Sequence, residues 1–145
     1  MREWFKEIPK IAFEGSKSQN PLSFKFYDAD KKIGGKTMRE HLKFAMSYWH
    51  TLDGEGMDMF GDASMDKSFG GNTPLEIYQN KAYAAFEIMD KLGIDYYCFH
   101  DRDIAPEGST LKESNQNFQK IVDLLKDLQH EYNKKLLWGT AKLFA

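Results

Sequence analysis

An α/β fold with a parallel sheet is predicted by three observations. Two segments, Leu75–Met89 and Leu111–Tyr132, place apolar residues at helical spacing. Each helical segment opens on a capping motif. Short apolar runs lie before, between and after them. Strands that alternate with amphipathic helices form right-handed βαβ units, whose strands run parallel.

Each element has its own local signal. Thr37 with Glu40 reads as a capping box for a short helix from Met38, and Phe44–His50 reads as the first buried strand. Thr73-Pro74-Leu75-Glu76 combines an N-cap, a proline at the first helical position and a capping Glu. Leu75, Tyr78, Ala82, Ala85, Phe86 and Met89 then recur on one helical face, and Gly93 stops the helix. Tyr96–His100 reads as the second strand. Thr110-Leu111-Lys112-Glu113 reads as another capping box, opening a helix whose apolar face is Leu111, Phe118, Ile121, Val122, Leu125, Leu128 and Tyr132. Leu136–Thr140 reads as the third strand.

Residues 1–36 form an irregular extension, punctuated by Pro9, Pro21, Gly15-Ser16 and Gly34-Gly35; Ile11-Ala12-Phe13 and Leu22-Ser23-Phe24 are expected to pack on a neighbouring surface. Residues 37–145 hold the βαβαβ part. Residues 51–72 are a long Gly- and Asp-rich segment carrying Met57, Met59, Phe60, Met65 and Phe69. So many apolar side chains on a loop call for a cover, such as another subunit. Its acidic residues lack the 12-position pattern of a calcium loop.

Bulk properties exclude several classes. A formal net charge of −2 with mixed signs gives no electrostatic case for nucleic acid. No apolar run spans a bilayer, and the charged start, Arg2-Glu3-Trp4-Phe5-Lys6-Glu7, is not a secretory signal core. The single Cys98, set in an apolar run, reads as a core residue in a reducing, cytoplasmic setting.

The most informative stretch is Cys98-Phe99-His100-Asp101-Arg102-Asp103-Ile104-Ala105-Pro106-Glu107-Gly108. A buried strand that ends in a histidine and carboxylates is how α/β enzymes present chemistry at strand C-termini. Histidine moves protons near neutral pH, and a nearby carboxylate fixes its tautomer. His100 and Asp103 are the candidate acid–base pair. Asp101 and Arg102 read as a local ion pair. Trp49 and Trp138 end strands, while His50 has no assigned role and His41 and His130 read as solvated.

These residues carry a family resemblance. Tyr48-Trp49-His50-Thr51, Met59-Phe60-Gly61, the run from Phe99 to Gly108, and Leu136-Leu137-Trp138-Gly139-Thr140-Ala141-Lys142-Leu143-Phe144 together resemble the N-terminal part of xylose isomerase, of the type with a long N-terminal extension. Phe13-Glu14-Gly15 and Asn20-Pro21-Leu22 add to the likeness, whereas Lys142 stands where the family usually has Asn.

The resemblance implies a (β/α)8 barrel that interconverts D-xylose and D-xylulose, and often D-glucose and D-fructose, as a homotetramer with two divalent ions (Mg, Mn or Co). It implies His100 as the ring-opening histidine, Asp103 as its partner, Trp49 and Trp138 as pocket walls and Thr140 near the sugar. Phe60 would enter a neighbouring subunit's active site. A closed barrel needs ~250 residues, so the expectation here is a truncated barrel of three strands and two crossover helices. The family's metal ligands lie on later strands, so this chain is expected to carry no metal set and to be inactive alone. It is also expected to self-associate through its open sheet edge. Two other readings remain: a non-catalytic α/β binding or assembly module, and another metal-dependent sugar or phosphate barrel enzyme.

Overall fold

A computed structural model describes residues 2–142; the Leu143-Phe144 end of the last motif lies outside the described residues. The elements run β1 (Lys32–Ile33), β2 (Lys36–Thr37), α1 (Met38–His41), β3 (Ala45–Ser47), α2 (Tyr48–Thr51), α3 (Pro74–Leu92), β4 (Tyr96–His100), α4 (Asp101–Ile104), α5 (Leu111–Tyr132) and β5 (Lys135–Thr140). β3, β4 and β5 form a parallel sheet in sequence order, with α3 and α5 as the crossovers. The sheet does not close into a barrel.

The long helices begin and end where their caps dictate. Thr73 accepts from the Glu76 N–H, Glu76 accepts from the Thr73 N–H, and Gly93 closes α3 at φ 68° in the left-handed region. Ala82, Ala85, Phe86 and Met89 of α3 meet Ile121, Leu125 and Leu128 of α5 in one core with Tyr97 and Phe99 of β4. The N-terminus of α5 departs from expectation. Thr110 caps Glu113, but the Glu113 carboxylate accepts from the Ser109 N–H and hydroxyl instead of completing a box. Leu111, at this open end, is exposed and not part of the apolar face.

The first strand is shorter than Phe44–His50. Only Ala45–Ser47 is extended; Tyr48–Thr51 is a helical turn, and Phe44 is half exposed. Tyr48 and Leu52, one helical turn apart, both reach the core. Trp49 therefore stands on α2 and not at a strand end.

The extension is better ordered than its composition suggests. Phe13 and Phe24 bridge each other, and β1 and β2 pair as an antiparallel hairpin around Gly34-Gly35. The first residues are strapped to α3: the Glu87 carboxylate accepts from the N–H groups of Trp4 (2.8 Å) and Phe5 (2.9 Å), and Trp4 stacks on Tyr83. Burial pushes the Glu87 pKa up, but those two N–H groups and Lys91 outweigh it and hold the carboxyl below its ordinary 4.5. Because the folded value is depressed, the strap's contribution to stability is complete above pH 4.5 and is lost as pH falls through the lower native value. Acid titration followed by Trp4 amide exchange is expected to show the strap opening below that pH; the same profile in Glu87→Gln would refute this origin.

Candidate active site

β4 delivers His100 to the C-terminal end of the sheet, and the chain turns at once into the four-residue α4. That turn folds Asp103 back onto the histidine. Its Oδ2 accepts from the His100 backbone N–H at 2.7 Å and lies 3.0 Å from the ring Nδ1. An ionised carboxylate only accepts, so opposite an ionised Asp103 it is Nδ1 that donates. Asp103 is 4% exposed while the His100 side chain is 26% exposed, which sets a buried orienting group behind an accessible ring.

Two indoles flank that ring. Trp49 from α2 lies 4.7 Å from the His100 centroid, Trp138 from β5 lies at 5.9 Å, and the indoles are 5.3 Å apart. A register shift places Trp138 here. Tyr97 pairs with Leu136, yet Cys98 pairs with Trp138, so Leu137 is an extra residue on β5. The bulge turns the following residues to the other face. Trp138 thereby joins the row of Cys98, and Thr140 comes into register with His100.

The structure thus gathers His100, Asp103, Trp49 and Trp138, with Thr140 alongside. Phe60 is not among them: it stands on the 51–72 loop, 89% exposed, with Met57, Met59 and Met65 also uncovered. Phe69 differs from these, packing against the chain's own core. Asp101 and Arg102 do not pair as side chains. Arg102 bridges Glu107, and the Asp101 carboxylate accepts from the N–H groups of Arg102 and Lys142. Cys98 is buried, and burial, followed by the charge of Asp103, pushes its thiol pKa up, as suits a packing residue.

One pair is absent from the sequence reading. Lys81 of α3 is 5% exposed; its ammonium pairs with Asp53 and donates to the Asp103 backbone carbonyl at 3.1 Å. Burial pushes the Asp53 pKa up, and Lys81 opposes that push. The sequence signal was that Lys81 sits three residues after Tyr78 and four before Ala85, inside the apolar stripe. The Tyr48 hydroxyl lies buried with no partner among the described residues. Tyr48→Phe is therefore expected to leave stability unchanged or raise it by about 1 kcal/mol, read by urea denaturation; a loss of that size would show that the hydroxyl is paired.

Beside Asp103, Lys81 and Arg102 opens a polar cleft of about 570 Å³, and between α5 and β5 an apolar one of about 630 Å³. Among the described residues no group of three or more His, Cys, Asp or Glu side chains gathers as a metal site requires. They therefore do not fit the divalent ions that the resemblance implies. No described helix is long and apolar enough to cross a membrane.

No family model matches the chain. Curated relatives do. It is 49% identical to the xylose isomerase of Thermoanaerobacterium saccharolyticum, 50% to that of Thermotoga neapolitana and 49% to that of Thermotoga maritima, over 146 aligned residues in each case. Each match covers 100% of this chain and 33% of the relative, so the chain spans about a third of the length of the proteins it matches. The same family named by the motifs around His100 is thus reached by whole-chain identity: this chain is, from end to end, a homologue of the xylose isomerases.

Proposed function

We propose that this chain forms the ring-opening end of a xylose isomerase active site. The observation that carries the reading is the His100–Asp103 pair, with Nδ1 tied to a buried carboxylate and the imidazole ring itself partly exposed. Nε2 takes the proton from the anomeric hydroxyl of a cyclic aldose as the bond from that carbon to the ring oxygen breaks, and the imidazolium returns that proton to the departing ring oxygen, which becomes a hydroxyl of the open-chain aldehyde. Asp103 keeps the ring in the required tautomer and stabilises the imidazolium that forms. Trp49 and Trp138 offer flat apolar faces to the C–H faces of D-xylose, or of D-glucose, and Thr140 lies at the rim.

Residues 37–145 are read as the opening part of a (β/α)8 barrel and residues 1–36 as its extension. The remaining chemistry, with two divalent ions (Mg, Mn or Co), belongs to the two thirds of the relatives that this chain does not match. The uncovered Met57, Met59 and Phe60 support assembly into a homotetramer in which Phe60 reaches a neighbouring site. A cytoplasmic location completes the reading.

Two assays test it. Mutarotation of α-D-xylose needs ring opening alone, and the chain is expected to accelerate it in polarimetry. A chimera in which this chain replaces the matching third of the Thermotoga neapolitana enzyme is expected to form D-xylulose with Mg, Mn or Co. The 145-residue chain alone is expected to form none. A chimera that folds, assembles and stays inactive overturns the reading.

A further inference from the structure

We propose that Lys81 is a positioning residue: through its bond to the Asp103 carbonyl, and neutralised by Asp53, it holds α4 so that the Asp103 carboxylate stays on His100. The inference rests on the reading of His100 as the ring-opening base.

The α4 turn has little stiffness of its own. It is four residues long, and its cap bond, from the Ala105 N–H to the Asp101 carbonyl, is 3.2 Å. Yet Asp103 must serve the His100 N–H and Nδ1 at once. A third anchor on the same residue fixes its backbone, and Lys81 supplies it at 3.1 Å from the much longer α3. The ammonium is held from three sides: Asp53 just after α2, the Asp103 carbonyl on α4, and the Tyr78 ring, whose centroid is 4.2 Å away. Burying an ammonium at 5% exposure is costly unless it is paired. Asp53 provides the pairing, which makes the lysine and the aspartate one unit. The segments that carry Trp49, Asp103 and the helix behind them are thereby locked at a single point. A hydrophobic residue of similar length fills the same space without directing a donor at the Asp103 carbonyl.

The test uses the full chain carrying 15N-labelled histidine, with the His100 signals assigned by substitution. Wild type is expected to show His100 as the Nδ1–H tautomer with a downfield proton bonded to Asp103. Lys81→Met is expected to lose that proton signal and average the two ring nitrogens, with native far-UV circular dichroism. Lys81→Arg is expected to restore it. Asp53→Asn, which keeps the shape of the side chain, is expected to lose it too and decides the matter if Lys81→Met does not fold. Mutarotation is expected to slow about 10²-fold in Lys81→Met. His100 signals unchanged in a folded Lys81→Met or Asp53→Asn overturn the proposal. A wild-type chain with the Nδ1–H signal, lost in Lys81→Met, but with no mutarotase activity overturns the reading of His100 as a base and leaves the positioning role standing.

Discussion

His100→Gln in the chimera is expected to lower kcat on D-xylose by about 10²–10⁴-fold, the span that a positioned proton-transfer group supplies. Glutamine keeps an amide within reach of Asp103 and most of the volume between Trp49 and Trp138, whose ring centroids lie 4.7 and 5.9 Å from that of His100. What it cannot do is take a proton and return it. KM for D-xylose should therefore change little, because the indole walls and the rest of the site remain. The loss should also be smaller when the substrate is already in its open-chain form, since that form bypasses the step. Rates compared on freshly ring-opened and equilibrated sugar give the measurement. An equal loss on both forms would place the role of His100 after ring opening and not within it.

Phe86→Ala is expected to cost about 3–5 kcal/mol, as for buried aromatic truncations generally. Phe86 is fully buried where α3, α5 and β4 converge, with ring contacts to Tyr97 at 5.3 Å and Tyr132 at 5.9 Å. The neighbouring positions on its helix are Ala82 and Ala85, which have no spare length to fill the hole. Domains of ordinary size hold a margin of about 5–15 kcal/mol, so this substitution removes a large share of it. Urea denaturation followed by far-UV circular dichroism should show the midpoint falling with the slope unchanged. A cost below about 1 kcal/mol would mean that α3 and α5 close over the cavity.

The parts of the fold legible in the sequence are those whose signals are local and repeated. α3 is specified by Thr73, Pro74, Glu76 and Gly93 at its ends and by a stripe of small and aromatic residues between them. The same holds for the stripe of α5 and for the run into His100. The turn at Tyr48–Thr51 was hidden because a string of aromatic residues satisfies a strand and a helix equally, and so does the four-residue spacing of the buried Tyr48 and Leu52. The bulge at Leu137 depends on pairing with β4 and leaves no trace in β5 itself. His100 and Asp103 were legible because they are three residues apart. Lys81 and Asp53 were not, because their 28-residue separation is bridged only once α3 has packed on the sheet.

Spatial order and chain order coincide in the sheet: β3, then β4, then β5. On a ribosome, which releases the N-terminal side first, every strand after β3 emerges to find its template already made. No pairing has to wait for a later segment, and none has to be undone to admit one. The opening residues are the exception. Trp4 and Phe5 leave the tunnel ahead of their acceptor, Glu87, which follows 83 and 82 residues later. They can dock as soon as α3 has formed, ahead of β4 and β5.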